Sequence, residues 1–320
     1  MSEIATIILP FFGLVACGLG ATRLMQLPAQ GVAGLNLFVY YFAMPAWFFQ
    51  MVATTPFRDI EHWSFLVATT FATYCAFAIA FSIGALLNRG NVPDATIEGL
   101  VGSYSNIGYM APALVVAALG SQAGAATALV FAFDHIMLFT IVPLMMALGG
   151  TARTNGSMMG RDILRRIFLH PFILAAGAGL VVSALGIGMP QPIGGFLDLL
   201  ASAAPPVALF AVGASLAQKQ LGSVSVEMPG LLLVKLVVHP LIVYLLLSWI
   251  GGFDRVWLYA AVLMAALPPA ANVLALAQKY ESYRDQSVTA ILLGTGASVI
   301  TLTVAVALIF DGALPPHPFK

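Results

Sequence analysis

Two asparagines placed beside helix breakers are the residues best suited to chemistry in this chain. Asn106 lies in Gly102-Ser-Tyr-Ser-Asn-Ile-Gly-Tyr-Met-Ala-Pro112, and Asn272 lies in Ala265-Ala-Leu-Pro-Pro-Ala-Ala-Asn-Val273. An asparagine amide donates to a carboxylate while its oxygen accepts from another group. Two glycines, an asparagine and a proline in the first stretch, Gly102, Asn106, Gly108 and Pro112, and Pro268 and Pro269 in the second predict that each apolar segment unwinds midway. A backbone broken at membrane depth leaves peptide groups without intrahelical partners. It is tolerated only where protein buries it or a watery cavity meets it. If the two breaks cross near the bilayer centre, the second half-helices present partly positive amino ends to an anion and the first offer carbonyl ends. The competing role is a proline kink in which each asparagine bonds freed backbone.

Ionisable residues inside apolar segments come next. Lys235 and His239 are four residues apart and share a helix face. A lysine at membrane depth is costly, so it should face the bundle interior and supply a fixed positive charge beside the breaks, or else snorkel to the nearby surface. Asp134-His135 is the second such pair, suited to a proton relay or to a satisfied core contact with the last span or with Lys235. Tyr40, on one face with Asn36, either lines a solute path or packs as part of an aromatic stripe.

These residues must be positioned by membrane helices. The chain is 60% hydrophobic and 8% charged, with a mean hydropathy of +0.97, against roughly 45–50% apolar and 25% charged in soluble domains. Thirteen basic and thirteen acidic residues leave no basic footprint for nucleic acid. Cys17 and Cys75 fall in apolar segments, which argues against a disulfide framework or a cysteine metal site. Metalloprotease, hydrolase-elbow, phosphate-loop and paired-cysteine patterns are missing, so neither an enzyme nor a bound cofactor or metal is expected. The opening Met-Ser-Glu and the run from Ile4 to Ala21 read as a retained first helix rather than a cleaved leader.

Apolar runs predict about ten spans. They fall near 4–22 (M1), 33–53 (M2), 63–87 (M3), 96–119 (M4), 124–148 (M5), 168–187 (M6), 194–217 (M7), 230–250 (M8), 256–279 (M9) and 287–310 (M10). Placing both termini outside leaves Arg23, Arg89, Arg153, Arg161, Arg165, Arg166, Lys219, Lys279 and Arg284 on the inner side, and only Arg58, Arg255 and Lys320 on the outer. A weak internal repeat sets Pro45 and Phe49 on Pro206 and Phe210, and Asn106 on Pro268. The reading is an all-α integral membrane protein with two five-helix repeats, 1–150 and 168–320, joined by a cytoplasmic linker at 151–167. Five is odd, so the repeats are inverted, with interrupted helices M4 and M9 in corresponding places.

Together, Asn36-Leu-Phe-Val-Tyr-Tyr-Phe-Ala-Met-Pro-Ala46, Gly102 to Pro112, Pro206-Val-Ala-Leu-Phe-Ala-Val-Gly-Ala-Ser-Leu216, Lys235-Leu-Val-Val-His-Pro240 and Leu267-Pro-Pro-Ala-Ala-Asn272 resemble the auxin efflux carrier family. That family includes plant PIN carriers and bacterial malate and malonate permease-like proteins. The resemblance implies a scaffold of M1, M2, M6 and M7, often dimeric, and a transport domain of M3–M5 with M8–M10. It also implies an organic anion bound where M4 and M9 cross and moved by an elevator-like motion. The long loop of many plant members is missing here, which points away from auxin and towards a small carboxylate such as malonate or malate.

The expected function is therefore secondary transport of a small organic anion in a bacterial inner membrane, by a homodimer, with the lipid bilayer as its other partner. Asn106, Gly108, Tyr109, Pro112, Pro268, Pro269, Asn272 and Tyr40 would bind the solute. Lys235, His239, Asp134 and His135 would compensate charge or couple to a proton or sodium ion. Two other classes compete: a sodium- or proton-coupled symporter resembling bile acid carriers, and a receptor or channel that does not transport by alternating access.

Overall fold

The computed structural model describes residues 2–57, 63–150, 156–316 and 318. Arg58, Arg153 and Lys320, used in the charge count, lie outside them. Among the described residues every regular element is helical, and the extended contact is the isolated bridge between Ser105 and Pro269. The helices are α1 (Ser2–Leu24), α2 (Ala29–Ala53), α3 (Trp63–Leu87), α4 (Val92–Ser103), α5 (Ile107–Leu119), α6 (Gly124–Leu148) and α7 (Gly156–Phe168), followed by α8 (Pro171–Leu185), α9 (Gln191–Ala217), α10 (Met228–Ile250), α11 (Arg255–Ala265), α12 (Ala271–Lys279) and α13 (Arg284–Phe310).

Seven of these are long and apolar enough to cross a membrane, or eight if the bent pair Gly160–Phe168 and Pro171–Leu185 counts as one span. The segments expected as M4, M6 and M9 consist of shorter helices, of 12 and 13, 15, and 11 and 9 residues. Fifteen residues rise only about 22 Å, less than the ~30 Å hydrocarbon core. The 151–167 linker is helical from Gly156 onward.

Local sequence sets the helix ends. Asn91 caps α4 by accepting from the Asp94 amide at 3.3 Å, ahead of Pro93 in the first turn. Asp254 caps α11 from the Val256 amide at 2.7 Å. Two long helices are interrupted by π turns, Val39–Ala43 in α2 and Val234–Val238 in α10. Each turn is followed by a proline, Pro45 or Pro240, that has no amide hydrogen for the carbonyl four residues back. Those carbonyls belong to Tyr41 and Leu236; the wide bonds run just before each proline, from the Met44 amide to the Val39 carbonyl and from the His239 amide to the Val234 carbonyl.

The chain divides into two compact units. Unit 1 comprises Met1–Trp63, Ile107–Ala132 and Leu169–Lys219. Its helices α1 and α9 pack so closely that a Cβ on Gly18 would overlap the Phe210 carbonyl, and one on Gly213 would overlap the Val15 carbonyl. Phe48, Phe131 and Phe172 form an aromatic core with ring centroids 4.8 to 5.1 Å apart. Polar ties cross this unit too. Gln50 donates to Asp198 at 2.6 Å, and Asn36 donates to Ser215 at 3.1 Å. Asp198 and Ser215 thus bond inside the unit.

Unit 2 comprises Ser64–Asn106, Phe133–Phe168 and Gln220–Lys320. Its core gathers Ala76, Phe77, Ile97, Leu100, Met137, Leu138, Leu231 and Val273, contributed by α3, α4, α6, α10 and α12. Both interrupted segments meet in this unit.

Candidate functional site

Pro268 and Pro269 cannot donate backbone hydrogen bonds, so α11 ends before them and the chain runs extended to Ala270. The other break is short: α4 ends at Ser103 and α5 starts at Ile107. The two extended pieces pair antiparallel. The Asn106 amide donates to the Pro268 carbonyl at 2.9 Å, and the Ala270 amide donates to the Tyr104 carbonyl at 3.1 Å. Ser105 stands opposite Pro269 in the position where neither residue's amide takes part, so the missing proline N–H costs nothing there. Two segments that would be orphaned singly thus satisfy each other, as a buried backbone must. A Cβ on Gly294 of α13 would press on the Pro269 ring, so only glycine allows the close approach beneath the bridge.

Carbonyls at the end of α11 remain to be satisfied. The ammonium of Lys235, in the π turn of α10, donates to the carbonyl of Ala265, the last residue of α11. Lys235 is wholly buried, which removes the snorkelling role. Its Nζ also lies 3.3 Å from His239 Nδ1. The other ring nitrogen, Nε2, is 3.3 Å from Thr73 Oγ1, and that hydroxyl has Asp134 Oδ1 and the Thr69 carbonyl both at 3.2 Å. With Lys235 as donor, Nδ1 accepts and Nε2 carries the hydrogen. When the Thr73 hydrogen turns to Asp134, donation runs Lys235, His239, Thr73, Asp134, with a cation at one end and a carboxylate at the other. A buried charge this well supplied with partners fits the rule that unpaired ones are not tolerated.

His135, next to Asp134, bonds the Tyr104 hydroxyl at 2.9 Å through Nδ1. Tyr104 begins the first break, so all four ionisable residues singled out in the sequence converge on the paired segments. Thr73 and Tyr104 are the members that sequence reading missed. Their signal was weak: threonine at Thr69 and Thr73, one turn apart on an otherwise apolar helix, and a tyrosine inside the breaker stretch.

The sequence-predicted binding residues divide between the units. In unit 2, Asn106 is almost buried, Pro268 and Pro269 are buried, and Asn272 is exposed in the first turn of α12. The amino end of α12 therefore offers free amide donors beside Asn272. In unit 1, Gly108, Tyr109 and Pro112 lie within helix α5. This corrects the expected unwound turn at 108–112, because the break is confined to residues 104–106. A Cβ on Gly108 would crowd Phe131 and Phe172. Tyr40, in the π turn of α2, packs 5.3 Å from the Phe172 ring and 5.4 Å from the His170 ring. Its placement is that of a packed aromatic, and it shares Phe172 with Gly108.

No cluster of three histidine, cysteine or carboxylate side chains suited to a metal occurs among the described residues. What the arrangement offers is a set of donors: the first turn of α12, the side-chain amides of Asn106 and Asn272, and the buried Lys235.

Comparison with known proteins adds two findings. A family model described as "Membrane transport protein" matches residues 3–306. A curated relative from Rhizobium meliloti (strain 1021), described as "Putative malonate transporter", is 40% identical over 319 residues, an alignment covering 100% of both chains.

Proposed function

We propose, from the premise that this chain belongs to the auxin efflux carrier family of membrane transport proteins, that it is a secondary transporter of a small organic anion, with malonate or malate as the first candidates. A membrane transporter by family, it is not an enzyme. The observation that carries the substrate class is the pairing of the two breaks at Ser105 and Pro269, with Lys235 donating to the Ala265 carbonyl beside them. Asn106 and Asn272 supply amide donors, and the first turn of α12 supplies unpaired backbone N–H groups and a positive helix end. Lys235 holds a positive charge where the carbonyl end of α11 would otherwise repel an anion. The relative's description as a malonate transporter favours a dicarboxylate.

In this reading ten spans form two inverted five-helix repeats, M4 and M9 being the interrupted pair. M3–M5 and M8–M10 carry the solute by an elevator-type alternating access against M1, M2, M6 and M7, and both termini lie outside. The Lys235, His239, Thr73, Asp134 chain is the path for proton coupling. A dimer formed through the scaffold completes the proposal.

Uptake of labelled malonate into proteoliposomes tests it, with malate and a neutral sugar alongside. Saturable, competable uptake of a carboxylate supports transport. Solute binding in a thermal-shift screen without any flux would instead indicate a receptor, and flux that never saturates would indicate a channel. A dependence of uptake on sodium would favour the bile-acid-symporter type of coupling.

A further inference from the structure

A second polar cluster lies in unit 2, apart from the paired breaks, and nothing in the transport reading uses it. Glu98 of α4 is wholly buried. Asn88 donates to its Oε1 at 2.6 Å, while Oε2 meets no hydrogen-bond donor. That oxygen lies against Gly84 of α3, in space that a Cβ there would fill. The group within hydrogen-bonding reach of the Glu98 side chain is another carboxyl, that of Glu227, just before α10. Glu227 is itself only 6% exposed.

Glu227 has its own donors. The Tyr283 hydroxyl donates to Glu227 Oε1 at 2.7 Å and lies 2.8 Å from Ser225 Oγ. Tyr283 holds this place with a left-handed backbone, φ 50° and ψ 36°, at the start of α13. For a bulky residue this conformation costs about 1 kcal/mol, so its surroundings must impose it. The Tyr283 amide in turn serves Asp94. Burial raises the Glu227 carboxyl, but the hydrogen bonds from Ser225 and Tyr283 outweigh it and hold that carboxyl below its ordinary range. Burial and the carboxylate of Glu227 push the Tyr283 phenol up, so it remains a donor.

The charges that face Glu98 are those of Glu227 and Asp94, both negative, with no lysine or arginine among them. Arg284, next in sequence to Tyr283, is exposed, as is Arg89 at the turn after α3. Two buried carboxyl groups in contact, without a cation, cannot both ionise.

We infer that Glu98 and Glu227 share one bound proton, making this cluster a proton-binding latch that ties α4 to the start of α10 and, through Tyr283, to α13. Glu98 carries the proton and donates its O–H to the ionised Glu227. Release of that proton to water opposes two carboxylates and loosens the three elements. The charge count places this end of unit 2, with Arg89, Lys279 and Arg284, on the inner side, so the latch would respond to cytoplasmic pH. The site itself stands independently of which solute is carried.

The sign follows from linkage. In the unfolded chain each carboxyl titrates separately near about pH 4.3, whereas the folded pair keeps its proton to higher pH. Above that range the pair's contribution to stability therefore falls as pH rises, until the folded pair has lost its proton. The test is thermal unfolding of the purified full-length protein at about pH 5, 7 and 9, for wild type, Glu98→Gln and Glu227→Gln. Wild type should lose ~3 °C or more between the extremes beyond what Glu98→Gln loses, since the glutamine amide donates at every pH. Glu227→Gln should flatten the profile only in part, because Glu98 stays buried there and keeps its own proton. Equal pH slopes in wild type and folded Glu98→Gln would overturn the latch. So would a wild-type midpoint that rises with added sodium, potassium or calcium at fixed pH, since a cation would then bridge the pair. If neither variant folds, infrared absorption decides, recorded in Asp134→Asn to remove the other buried carboxyl of the unit. A protonated carboxyl band at neutral pH that vanishes on alkalinisation supports the shared proton, and its absence refutes it.

Discussion

The Lys235 ammonium donates to the carbonyl of Ala265, the residue at which α11 stops. A cation on the carbonyl end of a half-helix is favourable by the helix dipole. Here the helix end lies inside the protein, where the interaction is not screened by water or salt. Pro268 and Pro269 end the helix, and Lys235 pairs with the carbonyl left there.

Replacing it tests this directly. Lys235→Met should keep the apolar volume, leave the Ala265 carbonyl only the long 3.5 Å bond from Ser105 at a cost of about 1–3 kcal/mol, and lower malonate uptake by at least ~10-fold at normal expression. Lys235→Arg should rescue only in part, because a planar guanidinium does not fit a place shaped for a compact ammonium. Unimpaired uptake by Lys235→Met in proteoliposomes would remove the lysine from the mechanism.

Asp134 closes the other end of the chain through Thr73. Asp134→Asn preserves an acceptor for the Thr73 hydroxyl but deletes the negative charge that acts on Lys235. Uptake should fall, and any dependence of the remaining flux on external pH should disappear. Wild-type flux that is already indifferent to pH and membrane potential would exclude a relay through this chain.

Asn272 is exposed on the first turn of α12. Its truncation should spare the fold and weaken binding. Asn272→Ala is expected to leave the thermal midpoint within about 1 °C of wild type, while raising the malonate concentration for half-maximal uptake by about 10–100-fold, the worth of one hydrogen bond to a charged group. Unchanged uptake kinetics would place the solute elsewhere.

The close crossing of α1 and α9 yields a stability prediction with an internal control. A Cβ on Gly213 would overlap backbone, so Gly213→Ala should cost about 1–3 kcal/mol and lower the midpoint by several degrees. Gly20 has open space around its would-be Cβ, and Gly20→Ala should be neutral or stabilising by up to ~1 kcal/mol. Equal effects of the two changes in thermal unfolding would mean that the crossing is looser than described.

Much of the chain's organisation was legible without coordinates. Hydropathy marked the long helices because a membrane helix must be apolar throughout its ~20 residues. Pro268 and Pro269 announced the second break because proline lacks the donor a helix needs. The ionisable residues were conspicuous simply because so few occur in apolar segments. The sequence was less exact about the first break. Glycine and proline over Gly102–Pro112 suggested a long unwound turn, yet only residues 104–106 leave the helix, and Gly108 and Pro112 both lie inside helix α5.

The amino-acid sequence by itself determined an all-helical membrane protein with two interrupted segments, because hydrophobicity and the lack of a proline donor are properties of residues one at a time. Only the tertiary structure decided that Tyr104–Asn106 pairs with Pro268–Ala270, that Lys235 finds Ala265, and that Glu98 faces Glu227. Those are pairings between groups far apart along the chain. In apolar sequence nearly every helix face looks alike, so which faces meet is settled by packing and by the need of each buried polar group for a partner.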